Sequence, residues 1–160
     1  MIVLGIDPGS RKTGWGVVRH RAGKSETVAL GTIALGEKPP LPERLVALAD
    51  ALDAILREHR PEACAVERIF HARNARSALV LGHARGVVLC QIARAGVHLF
   101  EYTPTQVKQA VVGTGGASKT QVARMVRMLL GHAAAIEENA ADALALALTH
   151  AAAAKLLALR

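Results

Sequence analysis

The hydrophobic period of this chain changes partway along its length, and that change restricts the possible fold more than any other feature. Residues 1–7 (MIVLGID), 15–19 and 27–35 are apolar or β-rich runs separated by polar, glycine-containing turns, the pattern of three strands in a meander. From residue 41 the period becomes helical. Leucines and alanines recur at helical spacing over 41–59 (LPERLVALADALDAILREH), and Pro61 stops them. A strand over 63–69 (ACAVERI) is then followed by a helix over 77–95, a strand over 97–102 and helices over 105–112, 119–130 and 139–159. Strands first, then strands alternating with helices, predict an α/β fold with a mixed five-stranded sheet flanked by helices. A chain of 160 residues has room for one substantial core, so a single domain over 1–160 is expected.

No run of about 18 apolar residues appears, and the start, MIVLGIDPGS, has no basic segment or small-residue cleavage site. A soluble, unprocessed cytoplasmic protein is the expectation, with no membrane partner. Cys64 and Cys90 lie in apolar runs and read as buried thiols in a reducing compartment. The formal charge is +7, and between Arg68 and Ile136 nine Lys/Arg face a single acid, Glu101. One basic side and a polyanionic partner fit this distribution; solvated charge without a ligand fits the total alone. Helical spacing would put most of Glu43, Asp50, Asp53 and Glu58 on a solvated face, and that segment should point away from a nucleic acid.

Three places carry chemistry. Asp7 ends the first strand in GIDPGSRKTG, where Pro8, Gly9 and Gly14 let backbone approach a ligand; a strand-end Asp also serves as a turn cap. Glu67 sits in VERIF after a mostly apolar stretch, where an unpaired charge costs several kcal/mol, roughly, unless a cation or donors meet it. Its neighbour Arg68 points to the opposite face of a strand and is badly placed to pair with it. Asn139 and Asp142, three apart in EENAADALALALTH, share the first turn of the last helix, where capping and the helix dipole equally favour them. As a set, acids from two strands and one helix can converge across a sheet. Carboxylates without Cys or several His suit hard cations such as Mg²⁺ or Mn²⁺.

These residues also carry a family resemblance. GIDPGSRxTGWG, AVERIF, NAxSALxLGxARG, YxPxQVKQxVVGxGxAxKxQV and AADALALALTH, in order from Gly5 to His150, resemble the RuvC family of bacterial Holliday-junction resolvases. The resemblance implies a ribonuclease-H-like fold, a single nuclease domain, a homodimer, and paired symmetric nicks in four-way DNA junctions during recombination and repair. It implies Asp7, Glu67 and Asp142 as catalytic metal ligands, with Asn139 at a fourth position that the family usually fills with Asp or His. It also implies Lys119 as a basic group near the scissile phosphate, Lys108 similarly placed, and the RuvA and RuvB branch-migration proteins as partners. Phe70, in a polar, basic loop with Arg73 and Arg76, would wedge against unpaired bases at the branch point and contact DNA, with core packing as the alternative fate of such a side chain.

Two divalent ions about 4 Å apart would then activate a water and stabilise the leaving 3′-oxygen, giving 5′-phosphate and 3′-hydroxyl ends. A carboxamide at Asn139 removes a negative charge, so Mn²⁺, more tolerant of geometry and neutral ligands, is expected to be favoured over Mg²⁺. Gly82 and Gly86, one turn apart on the helix over 77–95, mark a candidate dimer face, although packing within the protomer explains them equally well. Among rivals, GTGGASKT has Ser118 where a phosphate loop needs glycine, and an actin-like ATPase needs a longer chain. A junction-binding protein without catalysis fits everything but the three retained acids.

Overall fold

A computed structural model describes residues 1–68 and 75–157. Its sheet contains β1 (Ile2–Asp7), β2 (Lys12–Arg21), β3 (Lys24–Ala34), β4 (Ala63–Glu67) and β5 (His98–Tyr102) in the order β3-β2-β1-β4-β5. The first three are an antiparallel meander, while β4 runs parallel to both β1 and β5. This is the mixed sheet expected from the change of period. The parallel pairs need crossovers, which α1 (Leu41–His59) and α2 (Ala75–Arg94) provide. After β5 come α3 (Pro104–Val112), α4 (Lys119–Leu130) and α5 (Glu138–Leu157).

The hairpin strands extend beyond the apolar runs that mark them. Polar residues such as Lys12, Arg21 and Lys24 belong to the β2–β3 ladder because backbone pairing continues past the hydrophobic segment. Two cores flank the sheet. Leu4, Ile6, Cys64 and Val66 pack with Leu48 and Leu52 of α1 and Val88 and Ile92 of α2. Val3 and Ala65 face the other way, onto Val107 of α3, Val126 of α4 and Leu144 of α5. Side chains alternate across a strand, so one register decides both faces. Each fully buried Leu or Ile contributes about 1.5–3 kcal/mol relative to exposure.

The α5 helix is buried nearly all round, from Ala140 to Ala151, and lies directly on β1 and β2. A Cβ at Gly5 would stand 1.8 Å from the Ala143 carbonyl oxygen, and one at Gly14 would stand 1.9 Å from that of Asn139. Helix and strand backbones therefore touch, glycine on the strand side meeting Ala143 and Asn139 on the helix side.

Two expectations need correction. Cys64 is buried, as anticipated, and burial pushes its thiol up to about 12; Cys90 is exposed because α2 turns that face away from the sheet. Asn139 is not an N-cap, since α5 already begins at Glu138. Glu43, Asp50 and Glu58 are exposed on α1, as its helical spacing requires. Among the described residues no helix is long and apolar enough to cross a membrane.

Candidate active site

The parallel register of β1 and β4 pairs Ile6 with Val66, so the next residues, Asp7 and Glu67, end adjacent strands side by side. By alternation both side chains fall on the face that carries Val3 and Ala65, the face covered by α5. Asp142, in the second turn of α5, completes the group. All three acids line one cavity of about 150 Å³, together with Lys108 of α3 and Lys119 of α4.

Both lysines owe their places to helix starts. Thr103 caps α3 and Ser118 caps α4, each in a reciprocal capping box with a glutamine three residues on. Ser118 thus fixes Lys119 as the first residue of α4. The GTGGASKT segment follows helix α3 rather than a strand, which removes the phosphate-loop reading. Lys119 Nζ donates to Asp142 Oδ2 at 3.0 Å and to Glu138 Oε1 at 2.9 Å.

The electrostatics of the cluster are those of crowded negative charge. Burial, then repulsion from Glu67 and Asp142, pushes the Asp7 carboxyl up to about 7, with Lys119 pulling the other way. Glu67 is raised by burial and then by Asp142. A cation among these oxygens would relieve the repulsion, and an all-carboxylate donor set is hard, so the residues present suit a divalent ion with oxygen preference. Among the described residues no three Asp, Glu, His or Cys side chains are arranged as a ready ion cage.

Asn139 lies elsewhere. Its Nδ2 donates to Glu137 Oε1 at 2.7 Å, and it is not among the residues lining the cavity. Arg76 is exposed at the start of α2. Phe70 and Arg73 lie outside the described residues. The residue that sequence reasoning undervalued is Glu138. Three positions along a helix leave about 60° between side chains and four leave about 40°, so Glu138 shares the face of Asp142 more closely than Asn139 does. The E-x-x-x-D spacing carried that signal.

Comparison with known proteins identifies the family. The family model described as crossover junction endodeoxyribonuclease RuvC matches residues 3–150. The chain belongs to the RuvC family. The RuvC of Marinobacter nauticus is 50% identical over 150 residues, covering 94% of this chain and 85% of that protein. That of Alkalilimnicola ehrlichii is 51% identical over 148 residues, covering 92% and 89%. The structure of T. thermophilus RuvC in complex with Holliday junction substrate superposes with a TM-score of 0.93 at 41% identity, covering 98% of this chain and 96% of that one. The mixed five-stranded sheet with its helices is the ribonuclease-H-like fold of RuvC. RuvC nucleases are metal-dependent crossover junction endodeoxyribonucleases.

Proposed function

We propose that this chain, read as a single nuclease domain, resolves four-way DNA junctions by metal-assisted hydrolysis, with Asp7, Glu67 and Asp142 as its ligands. The observation that carries the reading is the meeting of these acids, from two adjacent strand ends and one helix, in a cavity that also holds Lys119 and Lys108. When bound, divalent ions would activate a water on one side of the phosphorus and stabilise the leaving 3′-oxygen on the other. The chain's own residues do the rest. Asp7 and Glu67 are presented from adjacent strand ends and Asp142 from the helix that covers them. Lys119 offsets the charge that develops on the phosphate. The apolar Val107, Val122 and Leu146 around the cavity limit water and strengthen these interactions. Products would be 5′-phosphate and 3′-hydroxyl ends. Arg73, Arg76, Lys108 and Lys119 contact the DNA, and Phe70 the branch point.

Mn²⁺ is the better metal on this reading. Asn139 adds no charge, and Mg²⁺ tolerates neutral ligands and imperfect octahedral geometry less well. Resolution also needs two nicks, hence two protomers about a two-fold axis. A Cβ at Gly82 or Gly86 of α2 would meet nothing within 4 Å, which argues against packing within the protomer as the reason for these glycines. Leu79, on the same helix, is 64% exposed. This face of α2 is our dimer interface. RuvA and RuvB would act with the protein at the junction, in the cytoplasm.

The test incubates the protein with a synthetic four-way junction, with and without Mn²⁺ or Mg²⁺. Paired symmetric nicks that require metal support the reading. Metal-independent binding without cleavage would leave a junction-binding protein instead.

A further inference from the structure

The first turn of α5 sends its polar residues in two directions. Asn139 donates to Glu137, whose carboxylate also accepts from Thr32 of β3 and lies 3.5 Å from Lys12 Nζ of β2. That group ties the helix start to the hairpin. Glu138 and Asp142 instead meet the Lys119 ammonium, at 2.9 and 3.0 Å.

We propose that Glu138 is a positioning residue for cleavage, holding the Lys119 ammonium beside the scissile phosphate while Asp142 is occupied by metal. The inference rests on the role given to Lys119 above. Lysine is a hydrated point charge on a flexible four-carbon stem and loses much rotamer freedom when it is fixed. The Lys119 side chain is 71% exposed, so packing does not hold it, and its two hydrogen bonds run to Glu138 and Asp142. Asp142 has a second task. A carboxylate that shares its charge with a divalent cation is a weaker acceptor for Lys119, and the cation itself repels the ammonium. Glu138 does not line the cavity, is 73% exposed and stays free to keep its hydrogen bond. The pair is matched, since its hydrogen bond raises Lys119 and lowers Glu138. Asn139 is turned the other way: its Nδ2 donates to Glu137, and the hydrogen bonds of Lys119 run to Glu138 and Asp142 instead.

An exposed ion pair adds little to stability, so variants at Glu138 should fold. Single-turnover cleavage of a four-way junction at saturating metal is expected to slow about tenfold in Glu138→Gln, less than the ~10²-fold that a 1 Å misplacement can cost. Junction affinity should be unchanged, and Glu138→Asp should recover part of the rate. In a Lys119→Met background, Glu138→Gln should cause no further loss. Nitrogen relaxation of the Lys119 ammonium provides a readout apart from activity: Mg²⁺ should leave it ordered in the wild type and mobile in Glu138→Gln. Calorimetric Mg²⁺ affinity should stay within about twofold in Glu138→Gln and fall in Asp142→Asn. A wild-type rate in Glu138→Gln, independent losses in the double variant, or a marked fall in Mg²⁺ affinity, which would make Glu138 a ligand, each overturns the proposal. If the wild type itself fails to cleave, the functional reading falls, and ammonium relaxation alone decides whether Glu138 holds Lys119.

Discussion

Asp7→Asn should make the metal-free protein more stable at neutral and alkaline pH while destroying cleavage. The Asp7 carboxyl stands at about 7 against its ordinary 3.8, through burial first and then Glu67 and Asp142. The folded protein therefore holds a proton on Asp7 that the unfolded chain has already released between about pH 4 and pH 7, and stability falls as pH rises through that window. A span of about 3 pH units, at about 1.4 kcal/mol each, sets an upper bound of about 4 kcal/mol. Part of that repulsion is shared with Glu67 and Asp142, so about half is a fair expectation. Asparagine has no charge to bury and escapes the cost. The assay is urea unfolding of wild type and Asp7→Asn in chelator, from about pH 4.5 to pH 8.5. The stability of the variant relative to wild type should climb between about pH 4 and pH 7 and level off above. Added Mn²⁺ should shrink it, because only the intact cluster gains from the cation. A pH-independent difference, or a variant that loses stability as pH rises, would refute the account of the cluster as mutually repelling carboxylates.

Glu67→Gln and Asp142→Asn should each cut single-turnover cleavage by about 10³-fold or more, with junction affinity nearly intact, because basic residues and junction shape carry binding; loss of affinity in both would indicate a structural role. Gly86→Arg fits an open surface in the protomer, so it should leave the fold intact yet yield monomers by sedimentation, and nick junctions without resolving them. Unchanged dimers would move the interface elsewhere. Cleavage should be faster with Mn²⁺ than with Mg²⁺ in metal titrations of the wild-type rate, and equal rates would show that the uncharged Asn139 does not set metal choice. Junction affinity should weaken steeply between low and physiological salt in a fluorescence titration, whereas a flat response would exclude phosphate contacts as its source.

Much of the architecture can be read from periodicity because β1, β4 and α1 each have one dominant pattern. The placement of Asp7 and Glu67 on one face follows from strand alternation once β1 and β4 are known to be parallel neighbours in register. That register depends on long-range pairing, which no local window contains. The ends of β2 and β3 were hidden for a similar reason: Lys12 and Lys24 join the ladder through backbone, whatever their side chains. The fate of Asn139 was harder to see. A polar residue three before Asp142 looks like a partner to it, yet Glu137 offers a nearer acceptor, and Glu138 takes the face that Asn139 seemed to hold. Cys90 illustrates the opposite difficulty, since an apolar helix face reads as core whether it meets the sheet or remains open.

The contact between α5 and the sheet also gives this protein an uneven tolerance to change. The alanines of α5 are more than good helix formers: with Gly5 and Gly14 beneath them, they set the height of Asp142 above Asp7 by backbone-to-backbone contact. A methyl group at Gly5 would have to displace the Ala143 carbonyl, and the whole helix would lift, carrying Asp142 with it. Uncharged, chemically inert positions therefore act as the gauge of the carboxylate cluster. Random mutagenesis scored for cleavage should find Gly5 and Ala143 nearly as intolerant as the carboxylates, whereas Glu67→Gln should keep the fold and lose only the chemistry. A protein engineer seeking a different metal could redraw the ligands freely, but would have to leave the glycines alone.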